Sequence, residues 1–405
     1  MTQMPMPATE PELPLRYPFE PGPWGTPPLV VHWARRNHPV CPVVLPSGTQ
    51  AWMLTRKDDI AKVFADRRFS RALAFDGAPR MAGDDFTSVP GSVFNIDPPD
   101  HTRVRQVIAP YYTRTGVQRH RPMIEDHAKT LLDKMASGLN PADLVETYAD
   151  PLPPLVTCDS LKIPTKLRAK FMKNFKVQTN LAVTPEKVAA ATKQITAFTG
   201  EVVAARREDG DRDDPIGALI TAHEQKMISE DEVHGTASYL CVTGVEALVS
   251  PLLTGPLTLL RHPKQLRECM KEPELWPKAV EELLRYHHNG VLGLPRIALE
   301  DVELHGTLIR NGDAVCATML GATWDEAHYP NPAKFDIHRT TDGTATFGAG
   351  PHFCIGAAFA RLFLQIACQA LFTRFPTLRL ALAESRIPWR EDLIFIRPSS
   401  LPVTW

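Results

Sequence analysis

Residues 229–263, "SEDEVHGTASYLCVTGVEALVSPLLTGPLTLLRHP", constrain the fold more than any other stretch of the chain. The run is long and mostly apolar, and its apolar residues fall on every side of a helix rather than on one face. Such a helix must be covered by protein all round, so we predict that it passes through the middle of the fold. Pro251 and Pro256 each lack a backbone donor, and we expect them to kink or interrupt it.

The rest of the chain has the pattern of a mainly helical α+β protein with small sheets. Apolar residues recur at helical spacing in further segments, which are 56–66, 123–137, 165–182, 184–208 and 273–288. Paired strands are predicted for 42–54, around Ser47 and Gly48, and for 302–320, around the His305-Gly306 and Asn311-Gly312 pairs. The opening residues are rich in proline. We therefore predict a flexible arm over 1–16 and a single domain over 17–405.

Composition excludes several classes of protein. The 405 residues are 43% hydrophobic, which is enough for a substantial core. Lys and Arg number 45 and Asp and Glu 46, and this balance does not fit a nucleic-acid binder. No early apolar run is long enough for a membrane span or a signal sequence. The 7 cysteines are scattered without a CxxC pair, which indicates reduced thiols in the cytoplasm and argues against structural zinc.

The segment "TFGAGPHFCIGAAFAR", residues 346–361, places a single cysteine where an apolar helix begins. Gly348, Gly350 and Pro351 require a tight loop before it. We expect the first N–H groups and the dipole of the helix to favour a Cys354 thiolate. A thiolate with open space on one side can bind the iron of a haem. The alternative is a buried, inert cysteine, which is the usual fate of a lone one.

This segment resembles the haem-binding signature of the cytochrome P450 family, Phe-Gly-x-Gly-x-His-x-Cys-x-Gly. The matching residues are Phe347, Gly348, Gly350, His352, Cys354 and Gly356. The resemblance implies that Cys354 is the axial ligand of haem b (iron protoporphyrin IX). It also implies the fold of that family, a triangular helical prism with the haem between the long central helix and the Cys-ligand helix.

Other parts of the chain are similar to the same family. Glu282 and Arg285 lie three residues apart on one predicted helix, and by themselves would be an ordinary surface ion pair. The resemblance implies that they join Arg339 in a buried structural triad that supports the Cys loop. Trp324 stands where bacterial members generally have arginine, and we interpret it as local surface packing.

The resemblance also implies a set of groups that bind the two haem propionates. These positions are His101, Arg105, Arg296 and His352, and Phe347 and Gly348 belong to the same cofactor site. His101 and Arg105 are four residues apart and so point the same way from one helix. Taken one at a time, each of these residues would be read as a solvated charge.

The distal part of the central helix departs from the family pattern. The resemblance places Gly244 and Glu246 as the expected glycine and acid, but Ala247 stands where an alcohol usually helps to deliver protons. Three explanations remain open. The substrate or a water supplies the hydroxyl, the enzyme couples aromatic rings without inserting oxygen, or it uses peroxide directly. The last fits least, because peroxide-using relatives carry Arg beside Pro here.

The implied substrate pocket is largely apolar and contains several small residues. Its candidate residues are Phe94, Leu240, Thr243, Leu248, Val291, Leu292 and Phe395. This composition favours a bulky, apolar or aromatic small molecule. His287 and His288 either bind a polar edge of the substrate or cap the end of their helix, and we favour the cap.

Together these features predict a soluble, cytoplasmic, monomeric oxidoreductase that tailors a natural product by O2-dependent hydroxylation. Ferredoxin and a ferredoxin reductase would pass it electrons from NAD(P)H. Docking of ferredoxin on a basic face and simple solvation are equally good interpretations of four arginines, Arg103, Arg114, Arg119 and Arg361. The alternatives are oxidative C–C or C–N coupling, and a catalytically silent haem protein that serves as a docking module. A helical protein without haem would require all the motif matches to be coincidences.

Overall fold

Helices make up about half of the protein. The computed structural model describes residues 6–174, 181–287, 290–341, 345–390, 392 and 394–405. Its helices are α1 (Leu29–Asn37), α2 (Lys57–Ala65), α3 (Asp100–Ile108), α4 (Arg121–Ala136), α5 (Leu152–Ser160), α6 (Thr165–Asn174), α7 (Pro185–Asp209), α8 (Pro215–Glu224), α9 (Glu230–Thr243), α10 (Glu246–Arg261), α11 (Pro263–Lys271), α12 (Trp276–Tyr286), α13 (Met319–Thr323) and α14 (Ala357–Arg374). The predicted mainly helical α+β class is confirmed.

Short strands form a mixed sheet and three smaller ones. The strands are β1 (Leu15–Arg16), β2 (Val40–Val44), β3 (Gln50–Leu54), β4 (Phe69–Ser70), β5 (Ala142–Asp143), β6 (Arg296–Ala298), β7 (Val302–Leu304), β8 (Thr307–Ile309), β9 (Ala314–Ala317), β10 (Arg379–Leu380), β11 (Trp389–Arg390), β12 (Arg397–Pro398) and β13 (Pro402–Thr404). The largest sheet has the order β1-β2-β3-β9-β6-β4. This sheet brings β4 and β6, which come from distant parts of the chain, into antiparallel contact.

One of the predicted strand pairings is wrong. The hairpin of β2 and β3 forms around Ser47-Gly48, and β7 pairs with β8 around His305-Gly306, as expected. After Asn311-Gly312, however, β9 leaves β8 and pairs with β3 and β6. All four residues of β9 are buried, so this strand needs a neighbour on each edge and cover on both faces, which the central sheet supplies.

The long apolar segment 229–263 does lie in the core, but it is interrupted at a different place from the one predicted. The break falls at Gly244 and Val245, between α9 and α10, whereas Pro251 and Pro256 both lie inside the continuous helix α10. Packing accounts for this, because α10 is buried between α12, α14 and β12, and burial on all sides outweighs the lost backbone bonds. Residues 230–261 are long and apolar enough to cross a membrane, but 83% of their most apolar window is buried inside the protein.

The segment predicted as a flexible arm contributes to the sheet. Leu15 pairs in parallel with Val43, and its side chain is buried in the main core. The sheet therefore begins inside residues 1–16. Of the helix predicted over 165–182, residues Thr165–Asn174 are observed as α6, and residues 175–180 lie outside the described part of the chain.

The helix that follows the Cys loop is held in the centre of the fold. Helix α14 packs against α4, α10 and α12, and its buried face includes Phe363, Ile366 and Leu371. The loop in front of α14 is thereby fixed beside the break in the central helix. This arrangement determines where the candidate site can lie.

Candidate functional site

The Cys loop is shaped by two glycines in left-handed conformations. Gly348 has φ +78° and Gly350 has φ +69°, a region that other residues rarely adopt. The loop then closes on itself through the Cys354 amide, which donates to the Phe347 carbonyl at 2.9 Å. Helix α2 supports the loop from behind, since a Cβ on Gly350 would lie 2.3 Å from the Phe64 carbonyl oxygen.

This close approach predicts a large cost for Gly350→Ala. Left-handed strain of about 1–2 kcal/mol and overpacking of about 1–3 kcal/mol should together lower the free energy of unfolding by roughly 2–5 kcal/mol. Gly312→Ala is the matched control, because Gly312 also has a positive φ (+91°) but open space where its Cβ would stand. Urea unfolding of both variants tests this, and equal losses would show that the contact with α2 contributes nothing.

Cys354 is the one cysteine of the seven that is not fully buried. Burial nevertheless raises the pKa of its thiol, while the Gly356 N–H and the Arg105 and Arg361 guanidinium groups act in the opposite direction. The Gly356 N–H before the helix therefore favours the thiolate, as expected, but burial has the larger effect on the pKa. Helix α14 begins only at Ala357, so the Gly356 amide reaches the sulfur but the rest of the first turn lies beyond it.

Cys354 opens onto an apolar cavity with a volume of about 390 Å³. The lining comes from the Cys loop, the broken central helix, and the segments around residues 94, 292 and 395. The residues proposed from the sequence that line it are Phe94, Leu240, Thr243, Gly244, Ala247, Leu248, Leu292, Phe347, Gly348, Cys354 and Phe395. The structure thus brings together residues from five separate stretches of the chain.

Val291 does not line this cavity, in contrast to the prediction. It belongs to the main hydrophobic core, and its neighbour Leu292 faces the cavity instead. The chain is extended here, with Gly290 bridged to Phe395, and successive side chains of an extended chain point to opposite sides. His287 also lies away from the cavity: it caps α12, and its Nδ1 is 3.3 Å from the Gly25 carbonyl oxygen. His288 lies outside the described residues.

The break in the central helix faces the same cavity. Val245 has φ −104° and ψ −76°, and the Thr157 hydroxyl donates to the Gly244 carbonyl at 3.4 Å. The Thr243 hydroxyl donates to the Tyr239 carbonyl at 2.8 Å, one turn back along α9. Hydroxyl groups at Thr157 and Thr243 therefore flank the break, although position 247 carries none.

Glu246 is buried on another side of α10 from Ala247. It is 3% exposed and does not line the cavity, and its Oε2 lies 3.4 Å from Nε of Arg397. Arg397 in turn donates to Asp150 at 3.1 Å. Consecutive helical residues point about 100° apart, which explains why Ala247 faces the cavity while Glu246 meets β12.

The four proposed propionate positions converge at one edge of the site. The His101 and His352 rings lie 4.2 Å apart between centroids, and Arg105 donates to the Phe353 carbonyl at 2.6 Å. Arg296 is buried in β6 and donates to the Phe69 carbonyl at 3.1 Å. Burial lowers the pKa of His101 to about 4 and that of His352 to about 3, so both rings are neutral at pH 7.

The proposed triad is assembled in the structure. Both carboxylate oxygens of Glu282 accept from the fully buried Arg285 guanidinium, at 2.7 and 2.8 Å, and Arg339 Nε lies 3.3 Å from Oε1. Arg339 also donates to three carbonyls of residues 330–334, so the triad ties α12 to the segment that precedes the Cys loop. Trp324 is buried beside it and donates to the Tyr286 carbonyl at 2.9 Å, so its interpretation as surface packing is wrong.

Three residues of this region were not identified from the sequence. Tyr239 lines the cavity and stacks on Phe94, with 5.1 Å between ring centroids. It precedes Thr243 by four residues on the same helix, and this spacing was a usable signal. The Arg71 guanidinium carbon lies 3.8 Å from the centroid of the same Phe94 ring, and Arg397 pairs with Glu246. These two contacts join distant segments, and no spacing within the chain indicates them.

The expected basic face carries less free charge than its arginines suggest. Arg103 pairs with Glu232 at 2.7 Å and Arg119 with Asp213 at 2.9 Å, and Arg361 pairs with Glu281. Arg114 is exposed. Three of the four positive charges are thus compensated by carboxylates of the chain itself.

Comparison with known proteins decides the family. The sequence model described as Cytochrome P450 matches residues 165–385, which is more than half of the chain. The chain belongs to the cytochrome P450 family. This cytochrome P450 is 37% identical to the nocardicin C N-oxygenase of Nocardia uniformis subsp. tsuyamanensis over 377 residues, covering 92% of this chain and 94% of that enzyme. Identity to the mycinamicin IV hydroxylase/epoxidase of Micromonospora griseorubida is 34% over 378 residues, with the same two coverages, 92% and 94%.

Solved structures agree with the sequence relatives. SgvP, which is involved in the tailoring step of griseoviridin, matches with a TM-score of 0.90 at 34% identity, and the match covers 96% of this chain and 99% of that one. The cytochrome P450 fold predicted from the sequence is therefore confirmed. The protein is a cytochrome P450 oxygenase with a haem-iron cofactor, a small-molecule substrate and redox partner proteins.

The residues around the cavity fit a haem. Among the described residues, Cys354 is the only cysteine that lines this largely apolar space. At the adjacent edge, four buried nitrogens have no hydrogen-bond partner among the described residues: Nδ1 of His101, Nε2 of His352, and Nε and Nη2 of Arg71. Buried donors without acceptors destabilise the folded protein. The two propionate carboxylates of a haem would accept hydrogen bonds from these nitrogens.

Proposed function

We propose that this cytochrome P450 binds haem b through the Cys354 thiolate and hydroxylates a bulky, apolar or aromatic natural product with O2. The observation that carries the proposal is the position of Cys354, which shares one apolar cavity with Gly244 and Ala247 of the central helix. Bound there, a haem iron with a thiolate ligand supplies the activation of dioxygen. Side chains of this chain are proposed to hold the haem and to position the groups that deliver protons.

Four residues are proposed to hold the propionates. Arg105 and Arg296 supply positive charge. Burial lowers the pKa of the Arg296 guanidinium to about 9, which is still above neutrality. His101 and His352 supply neutral ring donors beside them. Phe347 and Gly348 form the wall next to Cys354, where a bulky side chain at position 348 would meet the Phe64 ring.

Proton supply is proposed to use the groups beside the helix break. Glu246 is the buried acid, and its partner Arg397 connects it to Asp150, whose side chain is 22% exposed to solvent. Thr157 and Thr243 are the hydroxyl groups that can position a water near Ala247. With alanine at position 247, we propose that the substrate or a water completes this path.

Oxygen insertion is favoured over ring coupling by the relatives. The names of the two sequence relatives, an N-oxygenase and a hydroxylase/epoxidase, both denote transfer of oxygen. The cavity favours a bulky, apolar substrate, because its lining includes the aromatic rings of Phe86, Phe94 and Phe395 and exposes few polar groups. These features support a natural-product substrate of moderate size.

The redox partner, the cellular location and the oligomeric state are also proposals. We propose ferredoxin and its reductase as the electron source, with docking near Phe353, which is 40% exposed on the surface next to Cys354. Seven free thiols support a cytoplasmic location. A monomer is proposed as the working form.

The test is a screen for ligands that shift the haem spectrum, followed by turnover with ferredoxin, its reductase and NADPH. Hydroxylation predicts a product that is heavier than the substrate by one oxygen. A product of doubled mass less two hydrogens would establish oxidative coupling instead. NADPH consumption that never yields product with any spectrally active ligand would favour a silent haem protein.

Ala247→Thr tests the role of the missing alcohol. A positioned proton-transfer group is worth about 10²–10⁴ in rate, so even a small part of that gain should raise the product formed per NADPH several-fold. Ala247→Val is the matched control, because valine has the shape of threonine without the hydroxyl. Product and NADPH are measured together in both variants. Equal coupling in the two variants would mean that a hydroxyl at this position has no role.

A further inference from the structure

Arg71 is a buried arginine with no carboxylate in salt-bridge contact within the described part of the chain. Arg71 is the first residue after β4 and is 5% exposed. Its Nη1 donates to the Leu294 carbonyl at 3.3 Å. Nε and Nη2 find no acceptor among the residues that the structure describes. A guanidinium that is removed from water and left unpaired is strongly unfavourable. We therefore expect an anion to bind at Nε and Nη2 of Arg71.

The neighbouring carboxylates of the chain do not satisfy this guanidinium. Asp97 accepts from the backbone amide of Arg71 at 3.0 Å and from the Ser70 hydroxyl. Asp85 accepts from the Thr87 amide at 2.7 Å. Asp97 therefore holds the backbone of Arg71, and Asp85 holds that of Thr87. Neither acid accepts a hydrogen bond from the Arg71 side chain among the described residues.

Arg71 lies between the cavity and the edge where the proposed propionate-binding residues converge. Ser70 pairs with Ile297, so the strand register places Arg71 opposite Arg296. Two adjacent guanidinium groups repel each other unless an anion lies between or beside them. The Arg71 guanidinium also lies over the Phe94 ring, and Phe94 and Leu294 both line the cavity.

We propose that Arg71 binds a carboxylate at the wall of the cavity, through the fork formed by Nε and Nη2. A planar guanidinium with two free N–H donors on one edge matches a carboxylate in a bidentate pair. The carboxylate comes from one of two sources, a propionate of the haem or an acid group on the substrate. This inference rests on the proposed function for both sources, and its experiment has one arm for each.

The key variant is Arg71→Gln, which removes the charge and keeps much of the side chain. Arg67→Gln is the matched control, because it makes the same change four residues earlier at an exposed position. Arg71→Lys keeps the charge without the fork, and it replaces the glutamine variant if that variant does not fold.

In the first arm, transfer of haem to apomyoglobin is followed. A propionate partner predicts transfer about ten-fold or more faster from Arg71→Gln than from wild type or Arg67→Gln, as expected for loss of a charge-assisted bond. In the second arm, a series of ω-phenylalkanoic acids and their methyl esters is titrated by difference spectroscopy. A substrate partner predicts that wild type binds the best acid about ten-fold or more tightly than its ester, and that Arg71→Gln loses this preference.

The two arms distinguish a haem propionate from a substrate acid as the partner of Arg71. A change in either arm supports carboxylate binding and names its source, whereas unchanged haem transfer together with equal binding of acids and esters overturns it. A wild-type protein that takes up no haem would refute the proposed function. In that case the acids and esters are compared by thermal stabilisation of the purified protein, and equal stabilisation of wild type and Arg71→Gln overturns the inference on its own.

Discussion

Cys354→Ser is expected to abolish the red-shifted absorption band of the reduced, CO-bound protein completely. That band requires a thiolate bound to the haem iron, and a serine hydroxyl stays protonated and cannot replace it. Product formation should disappear with the band, since electron donation from the sulfur favours cleavage of the O–O bond. The measurement is a CO difference spectrum of the reduced protein, recorded at equal protein concentration for variant and wild type.

Cys368→Ser provides the control for this experiment. Cys368 lies on the same helix, α14, but it is fully buried in the main core and does not line the cavity. Its substitution should cost packing energy and leave the band in place. A band that survives in Cys354→Ser, or that is lost equally in both variants, would contradict the assignment of the ligand.

Glu282→Gln is expected to have the largest effect on stability. The Glu282 and Arg285 side chains are both 0% exposed, and Arg339 shares the same carboxylate. Glutamine keeps the shape but leaves two guanidinium groups without a negative partner in a low-dielectric site. Removing one member of a buried pair costs about 3–5 kcal/mol, which should appear as a lower free energy of unfolding in urea.

An exposed ion pair of the same chemistry serves as the comparison. Glu326 lies 3.2 Å from Arg36, with side chains that are 43% and 36% exposed. Glu326→Gln should change the free energy of unfolding by no more than about 1 kcal/mol, because solvent screens such pairs. A loss at Glu282 as small as that at Glu326 would mean that the triad does not hold α12 to the segment before the Cys loop.

Local patterns were enough to locate the Cys loop and most of the cavity. Gly348 and Gly350 are required by backbone conformation, and their place beside Cys354 follows from positions along the chain alone. Glu282 and Arg285 are three residues apart on one helix, so their contact follows from helical geometry. Such features depend on neighbours in sequence, and sequence analysis predicts them well.

Features that depend on distant segments were missed or misplaced. The break at Gly244 and Val245 lies where Thr157 of α5 reaches the Gly244 carbonyl, and packing keeps the helix continuous through Pro251 and Pro256. The partners of β9 were likewise set by the central sheet rather than by the adjacent turn. Propensity is a weak guide where burial is complete, because tertiary contacts contribute more than the local preference.

Iron K-edge X-ray absorption of the haem-loaded ferric protein tests the central claim most directly. Ligation by the Cys354 thiolate predicts one sulfur scatterer in the first coordination shell of the iron, and this scatterer disappears in Cys354→Ser. A first shell of nitrogen and oxygen alone in the wild-type protein, or a sulfur that remains after Cys354 is replaced, would contradict it.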